Sequence, residues 1–483
     1  MWTARTATLL VCALLLATGC VPSLKQKARE ANKKVPGSFR GAGGGGGAKG
    51  SGGSSAIKWR ELFSDSNLQS LIGTALKNNQ ELHIALQEIR VVKSEIMARR
   101  GEYLPKLGAK VSAGLEKVGK YTSQGASDAT TEYKPGKEVP EHLQNYSLGF
   151  FASWEIDVWA KLRNATKSAM FTYLSTVEGR KFMVTRLVSE IARSYYELMA
   201  LDNRLDVVKQ NIKILQNALK IVELQKEAAK VTELAVQRFK AEVLKNQSRE
   251  FDLRRKIIAT ENRINFLVGR FPQPVARSQK KLKDIVPRAV NAGLPSQLLS
   301  NRPDVKRAEL LLEAAKLDVK VAKASFYPSL SLEAGVGYQA FYPKFLFTTP
   351  ESLFYSVLGG ITMPLLNRKG LTARYFAANA KQMQAVYTYE RTILKAVVEV
   401  SSQLAAIRNL EKSVELKSKQ VQTLTRSIDI SNQLFRSARA NYMEVLMTRR
   451  DALESQLELI ETKKAQLEAT VRLYQALGGG WRS

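Results

Sequence analysis

Two windows of the chain, 165–229 and 372–435, repeat apolar residues every three or four positions. In the first, Leu187, Ile191, Tyr195, Leu198, Leu205, Val208, Ile212, Leu215, Leu219 and Val222 keep the spacing. In the second, Ala396, Val400, Leu404, Ile407, Leu410, Val414, Val421, Leu424 and Ile428 do so. This period predicts amphipathic helices. At 1.5 Å per residue the first would extend about 98 Å. No globular domain buries a helix of that length, so a coiled-coil or barrel-like assembly is required. Each window is followed by a partner helix, at 233–267 and 440–477. Proline agrees, because none of the 14 falls within 141–271 or 365–483.

Four other segments follow a period of two. In 328–340, "PSLSLEAGVGYQA", positions 330, 332, 334, 336, 338 and 340 are apolar and their neighbours polar or glycine. In 146–157, "YSLGFFASWEID", positions 146, 148, 150, 152, 154 and 156 are apolar, and Phe151 is the one apolar residue on the other face. Segment 106–117 alternates through Leu107, Ala109, Val111, Ala113 and Leu115. Segment 352–366 does so less cleanly through Tyr355, Val357, Gly359, Ile361 and Met363. Alternation over about 10 residues predicts strands with lipid on one side and water on the other. Taken singly, each segment equally fits a soluble half-buried sheet. Open sheet edges are not tolerated in lipid, and four strands cannot close a useful barrel, so the lipid reading requires a barrel shared between chains.

The two halves repeat. "SLGFFASWEIDVWAKLRNATKSAMF" from Ser147 aligns without gaps on "SVLGGITMPLLNRKGLTARYFAANA" from Ser356, and the match continues along both long helices. The order is helix, hairpin, long helix, turn, helix, then the same again. This gives first-repeat helices at 59–103, a hairpin at 104–158 and a long helical pair at 159–271. An inter-repeat segment at 272–302 leads to a helix at 303–326. A second hairpin at 327–366, a second long pair at 367–476 and a terminal segment at 477–483 complete the chain.

The N-terminus reads as an address. Arg5 and an apolar run at 8–17, too short to span a bilayer, make 1–19 a signal peptide. "LATGC" resembles a bacterial lipobox, which implies cleavage before Cys20 and lipidation of that residue. An ordinary secretory signal with an incidental cysteine is the alternative. Val21 is not Asp, which favours the outer membrane over the inner. Residues 20–58, with "GAGGGGGAKGSGG", read as a lipidated tether. Lys49 is followed by Gly50 and no strand precedes it, so the run is not a phosphate loop. Cys12 falls in the removed segment, leaving no thiol for a disulfide or a metal site.

Charge changes the picture little. The net charge of +30 would suit a polyanion, but Lys and Arg are spread along helical patterns without a nucleic-acid-binding signature. It is read as solvated helix faces and a basic pore lining, with no nucleic-acid partner. The only histidines, His83 and His142, lie on an amphipathic helix and in a hairpin turn. No nucleophile elbow or metal motif accompanies them, so the chain is expected not to be an enzyme and to need no cofactor beyond the lipid on Cys20.

"GLPSQLLSNRPDVKRAE" (293–309), "AKASFYPSLSLEAGVG" (322–337), "SWEIDVW" (153–159) and "YQALGGGW" (474–481) resemble the TolC-like outer-membrane efflux ducts, in particular the lipidated branch paired with RND pumps. The likeness covers about 59–481. It implies an α+β membrane protein acting as a homotrimer. Four transmembrane β-strands per protomer would form a twelve-strand β-barrel on a twelve-helix α-barrel, with an equatorial domain near 293–304 and 478–481. The implied partners are a periplasmic adaptor protein, an inner-membrane RND pump and outer-membrane lipid. The implied function is passive export gated at the periplasmic helical tips.

At those tips the family has small residues followed by acidic ones. Here Glu444 keeps the first acidic position, Met447 occupies the second, Ala438 replaces a glycine, and Ala235 stands where the first repeat often has Asp. Arg436, Arg439, Arg449 and Arg450 surround this site. The gate residues are therefore expected to be Glu444, Met447 and Arg439. Closure should rest on apolar contact at Met447, with a pore favouring anions or neutral solutes. The alternative is that these side chains face neighbouring helices. Met443 and Met447, four apart, are read as packing rather than as a soft-metal site. Val231, Thr232, Ser437, Ala438 and Arg439 are candidate adaptor contacts by position. Two other functions remain open: the same duct serving type I protein secretion, and a lipid-anchored structural coiled coil without a channel.

Overall fold

A computed structural model describes residues 21–24, 26–40, 57–364, 366, 368–437 and 439–482. Its main helices are α1 (Ser66–Asn78), α2 (Gln80–Tyr103), α3 (Lys161–Glu227), α4 (Glu233–Val268), α5 (Pro303–Ala324), α6 (Lys369–Arg436) and α7 (Tyr442–Ala476). Its main strands are β1 (Lys106–Glu116), β2 (Leu143–Ile156), β3 (Ser329–Ala340) and β4 (Leu353–Thr362). The expected long helices are present at 67 and 68 residues. No described helix is long and apolar enough to cross a membrane. The chain divides into two compact units. One comprises the described residues up to Glu30 with Arg90–Leu174 and Leu310–Val386; the other holds Ala31–Ile89, Ser175–Glu309 and the residues from Tyr387 on.

The first unit carries the sheet, in the order β1-β2-β3-β4, all antiparallel. The two sequence hairpins are thus joined edge to edge through β2 and β3. Register decides what each face displays. Val111 lies opposite Leu148, Leu148 opposite Tyr338, and Tyr338 opposite Leu353. The next row runs Ala109, Phe150, Val336, Tyr355, and the next Leu107, Ala152, Ala334, Val357. Because side chains alternate, these rows form one apolar face across all four strands. Within the chain it is bare: Leu107 and Val111 are each 76% exposed.

The opposite face is polar and glycine-rich. Ser112 and Ser147 hydroxyls meet at 2.7 Å, and Gln339 donates to Asn145 Oδ1 at 2.9 Å. Phe151, out of pattern in the sequence, covers Gly335, where a Cβ would lie 3.0 Å from the ring. A Cβ on Gly149 would meet Phe354 at 3.1 Å, and the two rings sit 6.1 Å apart. Aromatic rings thus fill the space that glycines leave on this face.

Aromatic clusters close both ends of the apolar band. At one end Trp159 stacks on Tyr327 at 4.9 Å and donates to the Pro328 carbonyl at 2.8 Å, while Trp154 donates to the Tyr103 carbonyl at 3.0 Å. At the other, Tyr133, Phe341, Tyr342 and Phe345 pack edge to face. The 12 residues of β3 give about 40 Å of strand. Tilted as in membrane barrels they would cover about 28 Å, close to the apolar height such barrels need. The "SWEIDVW" motif also makes the passage from β2 to α3. The Asp157 carboxylate accepts from Leu162 N and Arg163 N at 3.1 and 2.9 Å. It thereby satisfies donors that a helix start leaves unpaired.

The second unit is helical. Its core gathers Trp59, Leu68 and Ile72 with Leu187, Ile191, Tyr195 and Leu198 of α3, Ile264 and Val268 of α4, and Leu467, Val471 and Tyr474 of α7. Ion pairs bind the long helices along their polar margins: Arg249–Glu454 at 2.9 Å, Lys464–Glu197 at 2.6 Å, and Lys417 with Glu458.

The N-terminal stretch differs from the expected tether. Ala28 N donates to Asn379 Oδ1 at 3.3 Å, and Asn379 Nδ2 donates to the Gln26 carbonyl at 2.8 Å. Asn32 N donates to Glu390 at 2.7 Å, Lys33 pairs with Glu309 at 2.8 Å, and Phe39 is buried. Residues 26–39 are therefore anchored on the second repeat. The glycine run at 41–50, the signal segment and Cys20 lie outside the described residues.

Sheet closeness yields a prediction. A Cβ at Gly337 would lie 2.3 Å from the Leu148 carbonyl oxygen, whereas Gly359 has nothing within 4 Å. Gly337→Val should sharply reduce the yield of folded protein, with fast proteolysis of the remainder, while Gly359→Ala stays near wild-type yield. Equal recovery of both variants would refute the packing described for β2 and β3.

Candidate functional site

The residues singled out as gate and adaptor contacts fall at two helix handovers, both in the helical unit. Between α3 and α4 the chain turns through Ala229, in a left-handed conformation at φ 53°. Ala229 N and Lys230 N return hydrogen bonds to the Lys226 and Gln225 carbonyls at 2.9 and 2.8 Å, closing the end of α3. Lys226 pairs with Glu233 across the turn at 2.6 Å. That hydrogen bond holds the Glu233 carboxyl below its ordinary range and raises Lys226 above its own. Both groups are fully exposed, so the pair fixes geometry more than it adds stability.

Between α6 and α7 a side chain does the capping. Asn441 Oδ1 accepts from Met443 N and Glu444 N at 2.9 and 3.1 Å, the bonding that favours Asn at a helix start. Ser437 Oγ donates to the Gln433 and Leu434 carbonyls. Beneath the two turns lies a small apolar cluster of Leu215, Val222, Ala235, Val236 and Phe239, against which Val231, Tyr442 and Leu446 pack.

This packing sorts the candidates. Glu444, Met447 and Arg439 are exposed, with Met447 at 46%. Glu444 and Met447, three apart on α7, share a face, while Val445 between them is buried. Thr232 and Ser437 are exposed, Val231 is half-buried in the tip cluster, and Ala438 lies outside the described residues.

Two further residues of the tip motif are buried or partly buried. Ala235, the counterpart of Glu444, is fully buried in the cluster with Phe239. Arg449 is held between helices. Its guanidinium donates to Asn432 Oδ1 at 3.1 Å, and burial lowers its pKa despite the Asp429 charge. Arg450 lies beside Asp451 at 3.6 Å. Met443 Sδ takes a contact from Arg238 Nη1 at 3.2 Å across the tip, consistent with a packing role for that methionine.

A second constellation, which the sequence located only by motif, ties the repeats to their helix ends. Gly478 follows α7 at φ +83°, and a Cβ there would lie 2.5 Å from the Asn301 carbonyl oxygen. Arg302, nearly fully buried, donates to the Ala476 carbonyl at 2.8 Å, to Glu399 at 2.8 Å and to both Asp304 oxygens. The first repeat does the same with a neutral residue. Gly269 follows α4 at φ +77° against the Asn78 carbonyl, and Asn79 donates to the Leu267 carbonyl at 2.9 Å. The "RPD" and "LGGG" motifs are thus two sides of one latch. Gly479 leaves room for the Tyr474 ring, which a Cβ would meet at 2.3 Å. The Tyr474 hydroxyl donates to the Ile57 carbonyl at 2.5 Å, and burial pushes its pKa up to about 12.

Comparison with known proteins bears on what this arrangement serves. The family model described as "Outer membrane efflux protein" matches residues 71–270 and 294–479. The pyoverdine export outer membrane protein OpmQ of Pseudomonas aeruginosa is 28% identical over 435 residues, 88% of each chain. The cation efflux system protein CusC of Escherichia coli is 25% identical over 427 residues, again 88% of each chain. In fold, the chain resembles the crystal structure of a membrane protein from Pseudomonas aeruginosa. The TM-score is 0.83 at 22% identity, covering 95% of this chain and 100% of that one.

The cap at the second tip is testable. Asn441→Ala should cost about 1 kcal/mol of local stability, read as faster amide exchange at Met443 and Glu444. Asn441→Asp should retain most of the protection. Unchanged exchange in the alanine variant would show that the cap does not hold the tip.

Proposed function

Because the chain belongs to the outer membrane efflux protein family, we propose that it is the passive outer-membrane duct of a tripartite export system. In this reading it works as a homotrimer with a periplasmic adaptor and an inner-membrane RND pump. The observation that carries the reading is the four-stranded sheet with one continuous apolar face and its two outer strands, β1 and β4, each paired on one side only. Three copies joined β4 to β1 close a twelve-strand barrel, and the long helices of each copy supply the twelve helical columns. The work is conduction rather than bond-making.

Lipid on Cys20 adds a second hold on the outer membrane. The anchored stretch at 26–39 supports this, because it limits how far that residue can stray. The exposed face of Glu444 and Met447 supports a gate of mixed character, one carboxylate ring beside an apolar one, with Arg439 near it. Thr232, Ser437 and Arg439 are the exposed adaptor candidates, and Val231 contributes less because it packs inward. Relatives named for pyoverdine and for cation export differ in cargo, so the proposal assigns a duct and not a substrate.

Three measurements test it. In planar bilayers the purified protein should conduct with weak or anionic selectivity, and Met447→Asp should shift it several-fold toward cations. Strong cation selectivity of the unmodified protein would sink the gate assignment. Single cysteines at Thr232, Ser437 and Arg439 should crosslink to a co-expressed adaptor; adduct at none of them would reject these contacts. Cys20→Ser should release or mislocalise the protein while leaving trimers in detergent, and loss of trimers would make the anchor part of the fold.

A further inference from the structure

The helical unit contains a cavity of about 1050 Å³, lined by residues of α3, the 275–283 segment, α6 and α7. Its charges are unbalanced. Arg277 is already taken up by Asp202 and Glu261, both at 2.5 Å. The one other carboxylate, Asp206, is exposed to solvent. Lys209, Lys280, Lys281, Lys283 and Lys463 remain.

Lys463 is the unusual member, because it is only 9% exposed. Its ammonium donates to the amide oxygen of Gln466 at 3.0 Å, and among the described residues no carboxylate forms an ion pair with it. The adjacent Lys464 shows what this fold does elsewhere, pairing with Glu197 and Glu461 at 2.6 Å each. Burial without a counter-charge lowers the Lys463 pKa, whereas the two carboxylates raise that of Lys464. A buried charge left unpaired is costly, and here it borders a space large enough for a ligand and rimmed by three exposed lysines.

We propose that this cavity binds a phosphate-class oxyanion, with Lys463 as the buried counter-charge and Lys280, Lys281 and Lys283 as the rim that attracts it. Lysine ammoniums act as point charges suited to a compact, multiply charged anion, while planar carboxylates favour the arginine fork. The one arginine present is already occupied. The site lies on residues apart from the tip and does not depend on the gating scheme.

Calorimetry on the full-length protein in detergent tests this, with inorganic phosphate, glucose 6-phosphate and citrate as probes in chloride buffer. One phosphate should bind per chain, more weakly as salt rises. Lys463→Met should weaken binding about ten- to a hundredfold, as loss of a charge-assisted hydrogen bond does, with circular dichroism unchanged. Lys281→Glu with Lys283→Glu, both at exposed positions, should weaken it several-fold without touching the buried group. Tighter binding of the monoester assigns the site to a pendant phosphate, and tighter binding of the inorganic ion assigns it to free phosphate. No saturable binding of either, equal binding by Lys463→Met, or a preference for citrate would overturn the proposal.

Discussion

A backbone N–H or carbonyl that faces hydrocarbon without a partner costs several kcal/mol. That constraint organises this protein. Its sheet offers a complete ladder between β1 and β2, β2 and β3, and β3 and β4, and stops at two outer edges. Edges facing lipid must be paired, so the barrel proposed above requires more than one chain. The apolar face makes the same demand from the side chains. Residues such as Tyr355 and Val357, at 82% and 74% exposure, are suited to lipid and not to water.

The sheet in turn constrains what stands on its polar face. Gly149, Gly335 and Gly337 let neighbouring strands and the rings of Phe151 and Phe354 approach closely. Phe151 looked like a break in alternation, yet it is the filler for a glycine on the adjacent strand. In the helical unit, glycine serves a different purpose. Gly269 and Gly478 take positive φ at helix ends where a carbonyl lies too near for any Cβ. The two repeats use the same latch but differ in its donor. Asn79 is satisfied by neutral backbone partners, the Leu267 carbonyl and Leu82 N, whereas Arg302 requires Asp304 and Glu399 to offset its burial. A buried guanidinium deprived of those partners is strongly destabilising, which gives the "RPD" motif a physical reason.

Much of this was legible in the chain. The long helices were written in a 3.6 period free of proline, and the strands in a period of two, because each has one face that must avoid water. Boundaries were less so. β2 begins at Leu143, earlier than the alternation suggested, and the tether reading at 20–58 missed the contacts at 26–39. Those contacts use backbone amides and single Asn and Glu side chains, which leave no periodic trace. The candidate gate was located by repeat position and motif, and that reasoning placed Ala235 with Glu444. Their environments differ because Ala235 packs into the tip cluster beside Phe239, while Glu444 lies on the exposed face of α7.

The sequence by itself determined the element types, the duplication and the apolar band. Local periodicity suffices for these, since each depends on residues only a few positions apart. Tertiary structure decided the register that aligns four apolar faces into one, the latch between Asn301–Arg302 and the end of α7, and the cavity where Lys463 is buried without a carboxylate. Each of these joins residues tens to hundreds of positions apart, and no pattern along the chain encodes which of many distant side chains will meet.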